Sequence, residues 1–171
     1  EIIWDHYLVN TVAMFYGCSD ITEIDLSNFD NSHVEDMGWM FRNCTSLTSI
    51  NLSNFDTTSC TRMNRLFQNC SYLSSIDVSS FDTSKVTWFH FMFENCASLT
   101  SINLSNFDTS KALKMYRIFE NCIRLEYINI QKFYEANSNL EKYQMFENVK
   151  ENVVVCINED NSTLNIINQI K

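Results

Sequence analysis

The phrase Leu-x-x-Ile-x-Leu/Val-x-x-Phe recurs every 26 residues, at Leu47–Phe55, Leu73–Phe81 and Leu99–Phe107, with degenerate copies at Ile21–Phe29 and Leu125–Phe133. A fixed period of this length specifies a solenoid, because one short unit cannot bury its own apolar face and must stack on its neighbours. Aligning by the period gives columns of one residue type. Phe15, Phe41, Phe67, Phe93 and Phe119 form one, and Cys18, Cys44, Cys70, Cys96 and Cys122 another. Ile24, Ile50, Ile76, Ile102, Ile128 and Val154 form a third; Leu26, Leu52, Val78, Leu104, Ile130 and Cys156 a fourth; Phe29, Phe55, Phe81, Phe107 and Phe133 a fifth. Phe146 follows Phe119 by 27 residues, and this reading has the strand columns recover at Val154.

Within a unit the apolar period changes. Ser49-Ile50-Asn51-Leu52-Ser53 alternates as a half-buried strand does. Further on, Val86, Phe89, Met92, Phe93 and Cys96 lie at offsets that put them on one stripe of a helix. Asp56, Asp82 and Asp108 suit helix N-caps, and Asn43, Asn69, Asn95 and Asn121 suit the left-handed residue at a helix end. The expected architecture is an α/β leucine-rich-repeat solenoid of five to six coils. Strands are expected near residues 24, 50, 76, 102, 128 and 154, helices at 33–43, 59–69, 85–95, 111–121 and 137–147, and partial helices at 5–16 and 162–170. Helices need ~9–10 Å each and strands ~4.8 Å, so the strand side should be concave and the helical side convex.

Composition narrows the partners. The 171 residues carry a formal charge of -9, which disfavours nucleic acid and anionic membrane surfaces. No apolar run approaches the ~20 residues of a membrane span, and the first residues lack the basic start and apolar stretch of a signal peptide. The chain begins at Glu1, partway into a repeat, and reads as a mature form or a fragment. With no Pro and two Gly, turns must be built from Asn, Asp, Ser and Thr, and no linker divides the chain. One domain is expected over 1–171, with a partial repeat at 1–20, regular repeats at 21–133 and an irregular cap at 134–171.

Catalytic and metal patterns do not converge. The five column cysteines lie a whole coil apart with parallel side chains, which suits a buried, reduced thiol ladder better than zinc or disulfides. Cys60 shares a column with Val34, Val86 and Ala112, in keeping with that. His6, His33 and His90 occupy different repeat positions and read as exposed helix-surface residues. Neither a Gly-x-Ser-x-Gly elbow nor a glycine-rich phosphate loop is present, so no enzyme and no cofactor are expected.

The residues alternating with the strand core are the candidate ligand-binding set: Asp25, Ser27, Ser49, Asn51, Ser53, Ser75, Asp77, Ser79, Ser101, Asn103, Ser105, Tyr127 and Asn129. Glu23 belongs to the same face, and Val153, Val155 and Ile157 continue it in the last coil. Short hydroxyl, amide and carboxylate groups in a grid can bond glycan hydroxyls or a polar protein surface, or simply keep an open sheet soluble. Trp39, Trp88, Phe91, Tyr116 and Tyr143 vary between repeats and would pack between helices or form a protein contact. Asn43, Asn51, Asn69, Asn103 and Asn161 each begin an Asn-x-Ser/Thr sequon; sugars at Asn51 and Asn103 would cover the strand face, so that reading goes with an unglycosylated chain.

The run Leu-x-x-Ile-x-Leu-x-x-Phe-Asp-Thr-Ser, followed by Met-Phe-x-Asn-Cys-x-x-Leu, resembles the 26-residue repeat of BspA-like leucine-rich surface proteins, from about Phe15 to Phe133. The resemblance implies extracellular or cell-surface display and adhesion to a protein or glycan, without catalysis. The alternative is a structural or intracellular scaffold that assembles with other chains through its helical face.

Overall fold

The period appears as six stacked coils beginning at Asn10, Asp36, Arg62, Trp88, Lys114 and Glu141, residues joined in one ladder of parallel bridges. The computed structural model describes residues 8–158 and 164–169. Five of the six coils carry a strand at the alternating segment: β1 Glu23–Asp25, β2 Ser49–Asn51, β3 Ser101–Asn103, β4 Tyr127–Asn129 and β5 Val154–Cys156. β1 and β2 pair in parallel with Ile24 opposite Ile50, while β3, β4 and β5 form a second parallel sheet with Ile102 opposite Ile128. The strand expected near residue 76 is not formed, though Ser75, Ile76 and Asp77 keep the exposed, half-buried, exposed pattern of β1 and β2.

The expected recovery at Val154 does not occur. Val155, not Val154, stands opposite Ile128, so the extra residue that displaces Phe146 carries through the last strand. A slip of one residue exchanges the two faces of a strand. Val154 is therefore 59% exposed, while Val153, Val155 and Ile157 pack against the core instead of continuing the outer face. Cys156 falls opposite Asn129, outside the Leu/Ile column.

The five helices are absent, and the strand-and-helix fold class is corrected accordingly. Among the described residues the single helix is α1, Leu164–Ile167, one turn of the cap expected at 162–170. The helix expected at 5–16 is turn and bridge from residue 8 on, and residues 1–7 lie outside the described part. Backbone hydrogen bonds show what replaces helix. In coil 2 the N–H groups of Trp39, Phe41 and Asn43 donate to the carbonyls of Asn64, Leu66 and Gln68 in coil 3. Between them, the N–H groups of Met40, Arg42 and Cys44 close turns on Met37, Trp39 and Phe41. The same alternation recurs at Arg65, Phe67 and Asn69, and at Phe91, Phe93 and Asn95. Half the donors thus leave the coil, which an α-helix cannot allow.

Spacing forces this outcome. Phe15, Phe41, Phe67, Phe93, Phe119 and Phe146 stack face to face with centroids 5.3–5.8 Å apart. A helix is ~10 Å wide and cannot repeat at that interval. Phe29, Phe55, Phe81 and Phe107 stack at 5.9–6.2 Å on the strand side. The two sides repeat at similar intervals, so the width mismatch that was expected to make the strand side concave is gone.

The sequence supplies the turn chemistry. Asn43, Asn69, Asn95, Asn121 and Asn148 all have φ between 59° and 63°, and their column-mate Gly17 has φ 73°. Asn and Gly are the residues that enter the left-handed region most readily. Each Asn amide also donates to the carbonyl oxygen of the Asn before it, at 2.6–2.8 Å from Asn69 through Asn148. The aspartates expected as N-caps cap turns instead: Asp56, Asp82 and Asp108 accept from the N–H groups of Thr58, Ser84 and Ser110. Buried Thr57, Thr83 and Thr109 donate to the carbonyls of Asp82, Asp108 and Tyr134 in the next coil, satisfying backbone groups that would otherwise be orphaned.

All seven cysteines are free. Cys44, Cys70, Cys96 and Cys122 each donate Sγ–H to a Phe carbonyl of the preceding coil at 3.1–3.2 Å. Burial pushes Cys44 up to about 11 and Cys60 and Cys122 up to about 12, with Cys70 and Cys96 also well above the usual thiol range. Thiolate is the reactive form. A disulfide-exchange reagent should therefore label half-buried Cys18 and Cys156 first in the native protein, and the other five only on unfolding. Rapid native labelling of more than two thiols would contradict the ladder.

Candidate functional site

The strand face presents the expected polar set. Asp25, Ser49, Asn51, Ser53, Ser75, Asp77, Ser79, Ser101, Asn103 and Tyr127 are exposed, and Ser27, Ser105 and Asn129 half-buried. Parallel pairing brings Asp25 beside Asn51 and Asn103 beside Asn129. The Asp/Asn column has a local task that the sequence reading missed. Asp25, Asn51, Asp77, Asn103 and Asn129 each accept the N–H two residues on, from Ser27, Ser53, Ser79, Ser105 and Gln131. These Asx turns lead the chain out of the strand. The Ser27 N–H and hydroxyl hold Asp25 below the usual carboxylate range, and the Ser79 hydroxyl and N–H do the same for Asp77. Both are charged near neutrality, and none of the thirteen side chains is cationic.

Opposite lies a second surface, built by the turns that replace the helices. Its columns run Asp36, Arg62, Trp88, Lys114, Glu141; Trp39, Arg65, Phe91, Arg117, Gln144; and Arg42, Gln68, Glu94, Glu120, Glu147. The varied aromatic residues belong here and stack along the face, with no helices to separate. Arg65 lies 5.0 Å over Trp39 and 4.4 Å over Phe91, Arg62 4.6 Å over Trp88, and Arg42 4.7 Å over Trp39. Cation–π contacts of this kind hold the guanidinium groups against the aromatic rings. Arg62 also pairs with Asp36 at 3.1 Å. Tyr116 stacks between His90 at 4.9 Å and Tyr143 at 4.7 Å.

His90 corrects the expectation of exposed histidines, being only 5% exposed, whereas His33 is on the surface and His6 lies outside the described residues. Burial lowers His90 to about 4, with Arg65 and Lys114 adding to the effect, so the ring is neutral. Arg65 Nη1 approaches its Nε2 at 3.4 Å. Burial raises Glu120 above the usual carboxylate range, opposed by Arg117 and reinforced by Glu94 and Glu147.

At the C-terminal end an open groove of about 990 Å³ is lined by Tyr143, Gln144, Phe146, Glu147, Asn168 and Gln169, among others. The Gln169 amide bridges its wall, accepting from Met145 N–H and donating to the Lys142 carbonyl. Among the described residues no group of three or more His, Cys, Asp or Glu side chains is placed to hold a metal ion, and no helix is long and apolar enough to cross a membrane.

A family model described as Mycoplasma protein of unknown function, DUF285, matches residues 9–133 and 39–160. No curated protein matches the chain. Among solved structures, a leucine-rich-repeat protein of T. pallidum is similar with a TM-score of 0.53 and 21% identity, over 88% of this chain and 67% of that one. A leucine-rich-repeat protein of Bacteroides ovatus aligns over 90% of this chain and 67% of its own, with a TM-score of 0.32 and 18% identity. The T. pallidum likeness places the coils in a leucine-rich-repeat-like fold.

Proposed function

Since the chain belongs to the family described as Mycoplasma protein of unknown function, DUF285, whose description names no activity, we propose that it is a non-enzymatic repeat scaffold that binds a protein or glycan through its strand face. The observation that carries this reading is the exposed polar grid, held in place by an Asx turn at the end of nearly every strand segment. Side chains fixed before binding lose little entropy when a partner arrives, so many weak contacts sum. The setting we infer is a cell surface, on the strength of the repeat's resemblance to BspA-like surface proteins. Protease treatment of intact cells checks it: a surface protein is removed and an internal one is spared.

The structure also chooses the test. Arg at Asn51, Asp77 or Asn103 would break an Asx turn and confuse folding with binding. Ser49, Ser75 and Ser101 share the face, are exposed and cap no turn. The Ser49→Arg/Ser75→Arg/Ser101→Arg variant should keep the parent's unfolding midpoint yet weaken binding at least ~10-fold in a screen against glycan and cell-surface protein arrays. Undiminished binding by that variant would remove the strand face from the reading.

A further inference from the structure

We propose that the turn face is a self-complementary surface through which two copies of this chain pair antiparallel, coil 2 of one against coil 5 of the other. The proposal stands apart from the strand-face reading and rests on the order of charges along the three turn-face columns. Arg42 and Arg65, in coils 2 and 3, have no carboxylate within ion-pair distance among the described residues. Glu94 and Glu147, in coils 4 and 6, likewise have no cation. Excess positive charge therefore sits toward one end of the face and excess negative charge toward the other.

A two-fold axis lying in the face, across the stack between coils 3 and 4, sets each column against itself in reverse. Arg42 then faces Glu120 of the second copy, Asp36 faces Lys114, and Tyr16 faces Glu147. Trp39 faces Arg117, Arg65 faces Phe91, and Arg62 faces Trp88. Every one of these pairs is an opposite charge, a hydroxyl with a carboxylate, or a cation over an aromatic ring. Neighbouring registers fail. An axis through coil 3 sets Arg62 against Arg62 and Arg65 against Arg65. An axis through coil 4 sets Arg62 against Lys114, Arg65 against Arg117 and Asp36 against Glu141. Parallel pairing sets Arg65 and Arg117 each against itself. Like charges placed together are penalised, which disfavours these three arrangements. An axis between coils 2 and 3 also avoids like charges but overlaps four coils instead of six, so the register between coils 3 and 4 buries the most complementary surface.

A second observation falls on the same surface. Among the described residues, four buried side-chain polar atoms lack a hydrogen-bond partner: Arg42 Nε, Gln68 Oε1, His90 Nδ1 and Glu120 Oε2, the last held only by an ion pair with Arg117 Nε at 3.5 Å. All four belong to turn-face residues, and the pairing brings the Arg42 donor toward the Glu120 acceptor when both side chains turn outward. Six coils ~4.8 Å apart and a width of ~20 Å give roughly 600 Å² per copy, near the lower end of specific interfaces. The dimer is accordingly micromolar in strength and weakened by salt.

Sedimentation velocity over a micromolar concentration series tests this with Arg42→Glu, Glu120→Arg and the double exchange. The parent should dimerise, and each single variant should dissociate at least ~10-fold more readily, because a two-fold axis presents each lost pair twice. The double variant should regain the dimer. Arg42 and Glu120 stand three coils apart in one chain, so recovery can arise only between copies. A parent that stays monomeric, single variants that dimerise like the parent, or a double variant that stays apart would each overturn the pairing. The Ser49→Arg/Ser75→Arg/Ser101→Arg variant should dimerise like the parent, which separates this surface from the strand face.

Discussion

Phe67→Ala should lower unfolding free energy by about 4 kcal/mol, the largest effect we expect from one substitution. Phe67 is fully buried, and its ring is sandwiched between Phe41 at 5.3 Å and Phe93 at 5.7 Å with nearly parallel planes. Removing it forfeits the burial of a large apolar side chain and leaves a cavity. It also breaks two stacked pairs, each worth ~0.5–1.5 kcal/mol beyond burial. The cavity cannot collapse easily, because the Phe67 backbone is tied twice to coil 4: its N–H donates to the Met92 carbonyl and its carbonyl accepts the Cys96 thiol. Urea denaturation gives the value, with Tyr72→Ala, 65% exposed in the parent, as the control expected within ~0.5 kcal/mol of it. A loss below ~2 kcal/mol would mean that the stacked column contributes far less than its burial implies.

Asn95 tests the turn that takes the place of the helix. Asn95→Val should cost about 3 kcal/mol and Asn95→Gly about 1 kcal/mol, so that Gly is the milder change. Both lose the amide that donates to Asn69 and accepts from Asn121, each at 2.7 Å. Only Val also meets the penalty of a β-branched residue at φ 59°. Within a helix the order would reverse, since Gly is the poorer helix former. Circular-dichroism melting of the two variants distinguishes these cases, and a more stable Val variant would refute the left-handed turn.

Much of the stack was legible because a column repeats one residue type. Phe41, Phe67 and Phe93 announced their own contact, and the Ile50 and Leu52 alternation gave the strand and its buried side. The helical stripe misled because Val86, Phe89, Met92, Phe93 and Cys96 do turn inward, but from a chain of short turns. Apolar spacing records which side chains are buried; it does not record whether N–H groups bond within a coil or between coils. Part of the corrective signal was present in Asn43, Asn69 and Asn95, which recur with Gly17 at one of the two left-handed positions of each coil; the other, held by Trp39, Arg65 and Phe91, carries no residue type that announces it. The slip at Val155 was harder to read. Val153, Val154 and Val155 are alike, so pairing alone distinguishes them. His90 was missed for a different reason: its burial comes from Tyr116 and Arg65, varied side chains in columns with no repeating type.

The similar spacing of the two sides governs how such a protein can grow. Where helices are wider than strands, each added coil rotates the next, and a partner must match a fixed radius. Here the Phe stacks advance by nearly the same step on both sides, so a further coil extends either surface by translation along one direction. Contact area then rises linearly with coil number, and lengthening or shortening the array changes avidity while leaving the geometry of each individual contact as it was.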